Sequence, residues 1–175
     1  AEITATYNSS MVLSGSATGK TFTPNGVSLA CPVEVNGVGS GWTLGSPLSL
    51  GVNAITLTNG TFDTGNNNVT AGLTSSNSNS RTLNLGSSTV SVSASGAVSF
   101  STSTNLTFNA GTSTISLASA SQTFAGGGLT FYNVSFTSAS ATSIAITGAN
   151  TFNNLSFTGR TTAGVSVVQF GANQT

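Results

Sequence analysis

The chain has 175 residues, of which three are basic and three acidic, and it contains no histidine. Three cations cannot neutralise the phosphates along a nucleic acid, so nucleic-acid binding is excluded. The absence of histidine excludes imidazole metal sites and every catalytic triad whose base is histidine.

Apolar residues recur two positions apart along most of the chain, which is the period of a strand with one buried face. Helix is disfavoured because serine, threonine, asparagine and glycine dominate the sequence. In chain order, the pairs that predict strands are Leu48/Leu50, Ile55/Leu57, Leu83/Leu85, Val90/Val92, Val98/Phe100, Leu106/Phe108, Ile115/Leu117, Leu129/Phe131, Val134/Phe136, Ile144/Ile146, Leu155/Phe157 and Val165/Val167. We therefore predict an all-β protein.

Two columns of apolar residues share a spacing of 23 residues. They comprise Leu83, Leu106, Leu129 and Phe152, and Phe62, Leu85, Phe108 and Phe131. Each unit holds about three short strands, which predicts a parallel β-solenoid (β-helix) whose coils stack at ~4.8 Å. The alternative is an antiparallel β-sandwich or jelly roll, which short strands and Asn-Gly turns would also suit. A sandwich, however, gives no reason for a fixed period.

The first 36 residues do not show this period. We assign residues 1–36 to an N-terminal capping or assembly segment and residues 37–175 to the solenoid repeat domain. The end of a solenoid exposes unpaired strand edges, which invite association. We therefore expect a homo-oligomer or polymer.

Five segments carry a resemblance to known proteins. They are residues 55–64, 77–90, 106–115, 124–129 and 150–155. Together they resemble the Ser/Thr/Asn/Gly-rich repeat proteins of bacteriophage fibres and bacterial surface adhesins, in which parallel β-solenoids are common. The resemblance implies a structural or adhesive role and supplies no catalytic residue.

The residues themselves also give no catalytic, cofactor-binding or metal-binding site. Glycoside hydrolysis usually needs two carboxylates flanking the bond, and only Glu2, Glu34 and Asp63 are present, widely separated in sequence. The stretch of residues 15–21 has three residues between its glycines where a phosphate-binding loop has four. We expect neither cofactor nor metal.

Four residues are candidates for contacts with glycans or protein partners. The rings of Trp42 and Tyr132 would stack on sugars. Arg81 and Arg160 would bind a surface glycan or pair with a carboxylate across a subunit contact. The alternative for both arginines is a solvated side chain near a turn.

These observations favour a non-enzymatic structural and adhesive protein, a bacteriophage virion fibre or appendage component that attaches to a host surface. We expect an extracellular or virion-surface location, with other virion or surface proteins and host-surface glycans as partners. Membrane insertion is not expected, because no apolar run approaches ~18–20 residues.

Three alternatives remain open at this stage: a self-assembling extracellular filament or coat subunit, a secreted bacterial adhesin, and an ice-binding protein. Ice binding would need threonine pairs that stack into one rank. The Thr-x-Thr pairs at 4/6, 21/23, 56/58, 102/104 and 112/114 do not recur at 23 residues.

Overall fold

The computed structural model describes residues 10–93, 97–119, 121–138, 143–158 and 167–175. These residues contain strands and turns but no helix, and hence no helix able to cross a membrane. The strands are β1 (Met11–Leu13), β2 (Lys20–Phe22), β3 (Val33–Leu44), β4 (Leu48–Asp63), β5 (Val69–Thr74), β6 (Arg81–Asn84), β7 (Thr89–Val92), β8 (Val98–Ser99), β9 (Leu106–Asn109), β10 (Thr114–Leu117), β11 (Ser121–Ala125), β12 (Thr130–Phe136), β13 (Ser143–Thr147), β14 (Thr151–Phe157) and β15 (Val167–Phe170).

The strands wind into a parallel β-solenoid of about six turns, each of about 22 residues. Every strand pair in the described residues is parallel. The predicted solenoid is therefore confirmed, and the antiparallel sandwich is wrong. Parallel pairing follows because each strand hydrogen-bonds to its equivalent one coil later rather than to its chain neighbour.

Each full coil contributes to three faces. Face 1 contains β1, the start of β3, the middle of β4, the end of β5, β8, β11, β13 and β15. Face 2 contains β2, the ends of β3 and β4, β6 and β9, and the beginnings of β12 and β14. Face 3 contains the starts of β4 and β5, β7, β10, and the ends of β12 and β14.

The interior is apolar because alternate residues of all three faces point inward. Its columns are almost fully buried, as shown by Val33, Ile55, Leu73 and Val98 on face 1. In the later coils phenylalanine rings pack against one another in the interior. The Phe131 ring centre lies 5.0 Å from that of Phe108 and 4.9 Å from that of Phe124. Such ring pairs add to the burial of apolar area.

The columns differ in register from those that the 23-residue period predicts. Phe62 stacks on Leu83, and Leu83 stacks on Phe108, rather than Phe62 on Leu85 and Leu83 on Leu106. Successive coils vary in length, from 18 residues between Ile55 and Leu73 to 26 between Val98 and Phe124. Loops at the corners absorb this variation, so the period holds only on average.

One corner of the coil is formed by residues with positive φ, which explains part of the high asparagine and glycine content. Asn66, Gly86 and Gly111 occupy it in three successive coils, with φ of 62°, 53° and 58°. This left-handed conformation is open to glycine and tolerated by asparagine. A hydrogen bond joins two successive coils at this corner, where the Asn66 Oδ1 accepts the Ser87 backbone N–H at 2.9 Å.

The N-terminal part of the described chain joins the same stack. β1 and β2 both pair with β3, which runs through residues 36 and 37, although its pairing with β4 shifts register between Val35 and Gly41. The residues from Met11 onward therefore form the first, partial coil, and the boundary after residue 36 stays a prediction.

Candidate functional site

Arg81 lies inside the solenoid rather than on its surface. It is the first residue of β6 and is 2 % exposed. In the register it lies between Gly60 and Leu106 of the neighbouring coils. Because its side chain is buried, the prediction of a solvated arginine near a turn is wrong, and the guanidinium is not presented to a surface glycan.

The chain itself satisfies every N–H of the Arg81 guanidinium. Nε donates to the Ser75 hydroxyl at 2.6 Å. Nη1 donates to the carbonyls of Asn79 at 2.7 Å and Thr104 at 2.9 Å, and Nη2 to those of Ser75 at 3.0 Å and Thr102 at 2.7 Å. Burial lowers the pKa of this guanidinium from its ordinary value, since the charged form loses its solvent. The contacts tie the corner loops of two successive coils together.

A cleft of about 300 Å³ opens beside Arg81. It is lined by Val38, Gly39, Ser40, Asn59, Gly60, Thr61, Asn79, Ser80, Arg81 and Thr82. The amide groups of its asparagines donate within the corner, Asn59 to Asn36 Oδ1 at 2.8 Å and Asn79 to the Thr58 carbonyl at 3.0 Å. The asparagine donors of the cleft are therefore used by the protein, whereas the buried hydroxyl of Ser40 has no hydrogen-bond partner among the described residues.

Trp42 belongs to the interior column of face 2. It is partly buried, pairs in register with Phe62, and packs against the core. The Lys20 ammonium lies 5.0 Å from the centre of its ring, at a distance suited to a cation–π contact. Its indole N–H is buried without a hydrogen-bond partner. The ring is thus part of the packing of the first coils rather than a free stacking platform.

Tyr132 is the predicted contact residue that the structure leaves accessible. It is 37 % exposed and lies beside a groove of about 250 Å³. The groove is lined by Ala110, Gly111, Thr130, Phe131, Tyr132, Thr151, Phe152 and Asn153, none of which is charged. Arg160 lies outside the described residues. The predicted contacts are therefore not gathered into one site, because Arg81 and Tyr132 lie beside different clefts.

The two described carboxylates are engaged separately, on different faces. Glu34 on face 1 accepts hydrogen bonds from Thr58 Oγ1 at 2.8 Å and Asn36 Nδ2 at 3.0 Å. Asp63 on face 2 accepts from the Gly65 N–H at 2.7 Å and Asn84 Nδ2 at 3.1 Å. The described residues contain no group of three or more metal-ligating side chains. Both carboxylates therefore have local partners that fix neighbouring coils.

Sequence reasoning missed a column of hydroxyl groups along face 3. It comprises Ser28, Ser49, Thr70, Ser91, Ser116, Ser135 and Ser156. The signal was present, since the residue between the two apolar positions of each face 3 strand is serine or threonine. Variable coil length concealed it from a search at one fixed spacing.

The described Thr-x-Thr pairs do not stack on one another. Thr21 pairs with Thr43, Thr56 with Glu34 and Thr74, and Thr114 with Thr89 and Asn133. The face 3 column is instead built mainly from serine.

Comparisons of the chain with models of protein families, with curated proteins and with solved structures found no match.

Proposed function

We propose that this chain is a non-enzymatic structural and adhesive module, a rod segment of a virion fibre or appendage that contributes to attachment at a host surface. The observation that carries the proposal is the stack of about six parallel coils around a continuous apolar interior. Hydrogen bonding between successive coils makes such a stack stiff along its axis. A stiff, repetitive element suits the role of holding a contact surface away from a particle.

The outer surface supports the adhesive part of the proposal. Along face 3 the outward column is formed by hydroxyl side chains at seven successive levels. The cation Arg81 is buried, and the carboxylates Glu34 and Asp63 accept hydrogen bonds from neighbouring side chains. Uncharged hydroxyl and amide groups both donate and accept hydrogen bonds, which suits contact with the hydroxyl groups of glycans.

The first test concerns the shape and association of the purified chain. Small-angle scattering should give a particle whose coil stack is roughly 35 Å long, from eight strand levels on face 1 at ~4.8 Å. Electron microscopy over a concentration series should show short rods or small discrete oligomers. Long regular polymers formed by the chain alone would instead favour a filament or coat subunit.

The second test concerns attachment. Fluorescently labelled chain should bind to whole cells of some bacteria in a panel, and removal of surface polysaccharide from those cells should abolish binding. A chain denatured and kept unfolded serves as the control for nonspecific adhesion. Binding to no cell type would count against an adhesive role while leaving the rod role to be judged by the scattering result.

A further inference from the structure

The dipeptide Asn-Gly occurs three times in the chain, at residues 25–26, 36–37 and 59–60. The hairpin that this dipeptide often indicates is not formed in the described residues, where every strand pair is parallel. Asn-Gly also favours a chemical reaction, attack of the glycine nitrogen on the asparagine side chain, because glycine has no β-carbon to obstruct the approach. The structure places the three copies in different surroundings.

The side chains of Asn36 and Asn59 are fixed by hydrogen bonds between neighbouring coils. Asn59 Nδ2 donates to Asn36 Oδ1 at 2.8 Å. Asn36 Nδ2 donates in turn to Glu34 Oε1 at 3.0 Å. Both residues lie within the long strands β3 and β4. Neither amide can turn toward the following nitrogen without the loss of these bonds.

The glycines that follow these two asparagines are also held in place. Gly37 and Gly60 are both buried. A β-carbon on either glycine would collide with the Ser40 side chain, so both are closely surrounded. The Gly60 N–H donates to the Ser80 carbonyl at 3.3 Å. The backbone at both positions is therefore closed to rearrangement while the coils stay stacked.

Asn25 and Gly26 lie instead in an exposed turn after β2, with φ of 53° and 80°. Among the described residues, the Asn25 side chain and the Gly26 N–H have no hydrogen-bond partner. The place of a β-carbon on Gly26 is open space. One exposed bond closes the turn, from the Val27 N–H to the Pro24 carbonyl at 3.1 Å. Exposed bonds of this kind open locally without unfolding of the core.

We propose that Asn25 is a site of spontaneous deamidation, and that the fold protects Asn36 and Asn59 from the same reaction. The Gly26 nitrogen attacks Cγ of Asn25, and the new N–Cγ bond closes a succinimide ring. The Cγ–Nδ2 bond breaks, and ammonia leaves with the proton of the Gly26 N–H. Water, the one co-reactant, then opens the ring at either carbonyl to give aspartate or isoaspartate.

The product changes both charge and geometry at the first coils. One new carboxylate takes a chain with three basic and three acidic residues from zero net charge to a net negative charge. Isoaspartate also lengthens the backbone of the turn by a methylene group. The Asn25 N–H donates to the Ser46 hydroxyl at 2.8 Å, so the modified turn lies at a contact between successive coils. The inference does not depend on the proposed attachment function.

The experiment compares the native chain with the chain in urea, both incubated at mildly alkaline pH. Digestion at acidic pH with a protease that cleaves after glutamate follows, since cleavage after Glu34 separates Asn25 from Asn36 and Asn59. Tandem mass spectrometry then distinguishes Asn25 from Asn8 on the same fragment. In the native chain Asn25 should react at least about tenfold faster than Asn36 or Asn59. In urea the three rates should agree within about threefold.

Two variants assign the reaction in the native chain. Asn25→Gln should remove the acidic form seen on isoelectric focusing, because glutamine closes a larger ring that forms less readily. Asn36→Gln is the matched control, since it removes another Asn-Gly pair and should leave the rate at Asn25 within about twofold. The rate at Asn25 should also rise with pH, because the attacking nitrogen reacts as its anion.

Three results would overturn the inference. The first is a native chain that forms no acidic product while the chain in urea reacts. The second is a native chain in which Asn36 or Asn59 reacts as fast as Asn25. The third is an undiminished acidic form in Asn25→Gln. The comparison with urea keeps the test valid even if a variant folds poorly, because it uses the unaltered sequence.

Discussion

The corner around Arg81 and the groove beside Tyr132 are built by the same repeated coils but use their polar groups in opposite ways. Their volumes are similar, about 300 Å³ and about 250 Å³. At Arg81, five hydrogen bonds from one side chain close two loops. At Tyr132, the strand ladder itself is open. The comparison teaches that the same coils either close a corner through buried side-chain hydrogen bonds, as at Arg81, or leave an exposed ring beside an uncharged groove, as at Tyr132.

The largest effect is expected from Arg81→Met, which removes the donors that hold both loops. Buried carbonyl groups would lose their partners, and each group left unpaired typically costs about 1–3 kcal/mol of unfolding free energy. Urea denaturation measures this loss of unfolding free energy. The control is Arg81→Lys, which keeps the charge but has three donors where arginine has five, so it should recover only part of the loss. A loss below about 0.5 kcal/mol for Arg81→Met would show that the corner does not depend on these bonds.

A second pair of variants extends the comparison to two other buried polar side chains. Asn150 is fully buried, accepts from the Gly128 N–H and donates to Thr147 and Gln174, each at 3.0 Å. The amide of Gln122 is buried and has no partner for either of its polar atoms. Asn150→Leu should therefore cost about 2–3 kcal/mol, whereas Gln122→Leu should gain about 1–2 kcal/mol.

Thermal and urea unfolding of both variants test whether Asn150→Leu lowers and Gln122→Leu raises the free energy of unfolding. Gln122 pairs with Ile144 in the interior of face 1, so leucine suits its surroundings. Destabilisation by Gln122→Leu would mean that the amide has an essential partner, such as a buried water molecule.

Periodicity could predict the fold but not the register. The structure places Leu83 opposite Phe62, where the period predicted Leu85. The predicted pairing is therefore wrong by two residues, an error that leaves the same residues pointing inward. A two-residue error therefore preserves the pattern of inward and outward positions on which the prediction depends, whereas a one-residue error would invert it. The lengths of the corner loops decide the register, and they have no periodic signal.

The site could be predicted only in part, for a related reason. Tyr132 was identified because its ring can stack on a sugar, and the structure leaves it exposed. The rarity of arginine suggested a contact at the surface, but the Arg81 guanidinium is buried and donates to the carbonyl groups of Thr102 and Thr104 in the next coil. Backbone acceptors carry no sequence signature, so the sequence could not reveal that the guanidinium is satisfied internally.

The smallest effect on stability is expected from Tyr132→Ala, and its neighbour provides the contrast. Phe131 is 2 % exposed, and its ring contacts those of Phe100, Phe108, Phe124 and Phe152. Phe131→Ala should therefore cost about 3–5 kcal/mol of unfolding free energy. Tyr132 points outward, and Tyr132→Ala should remain within about 0.5 kcal/mol of the wild type. Urea unfolding of both variants measures the difference. A large loss for Tyr132→Ala would assign its ring to packing, and an exposed ring that contributes little to stability remains available to a ligand.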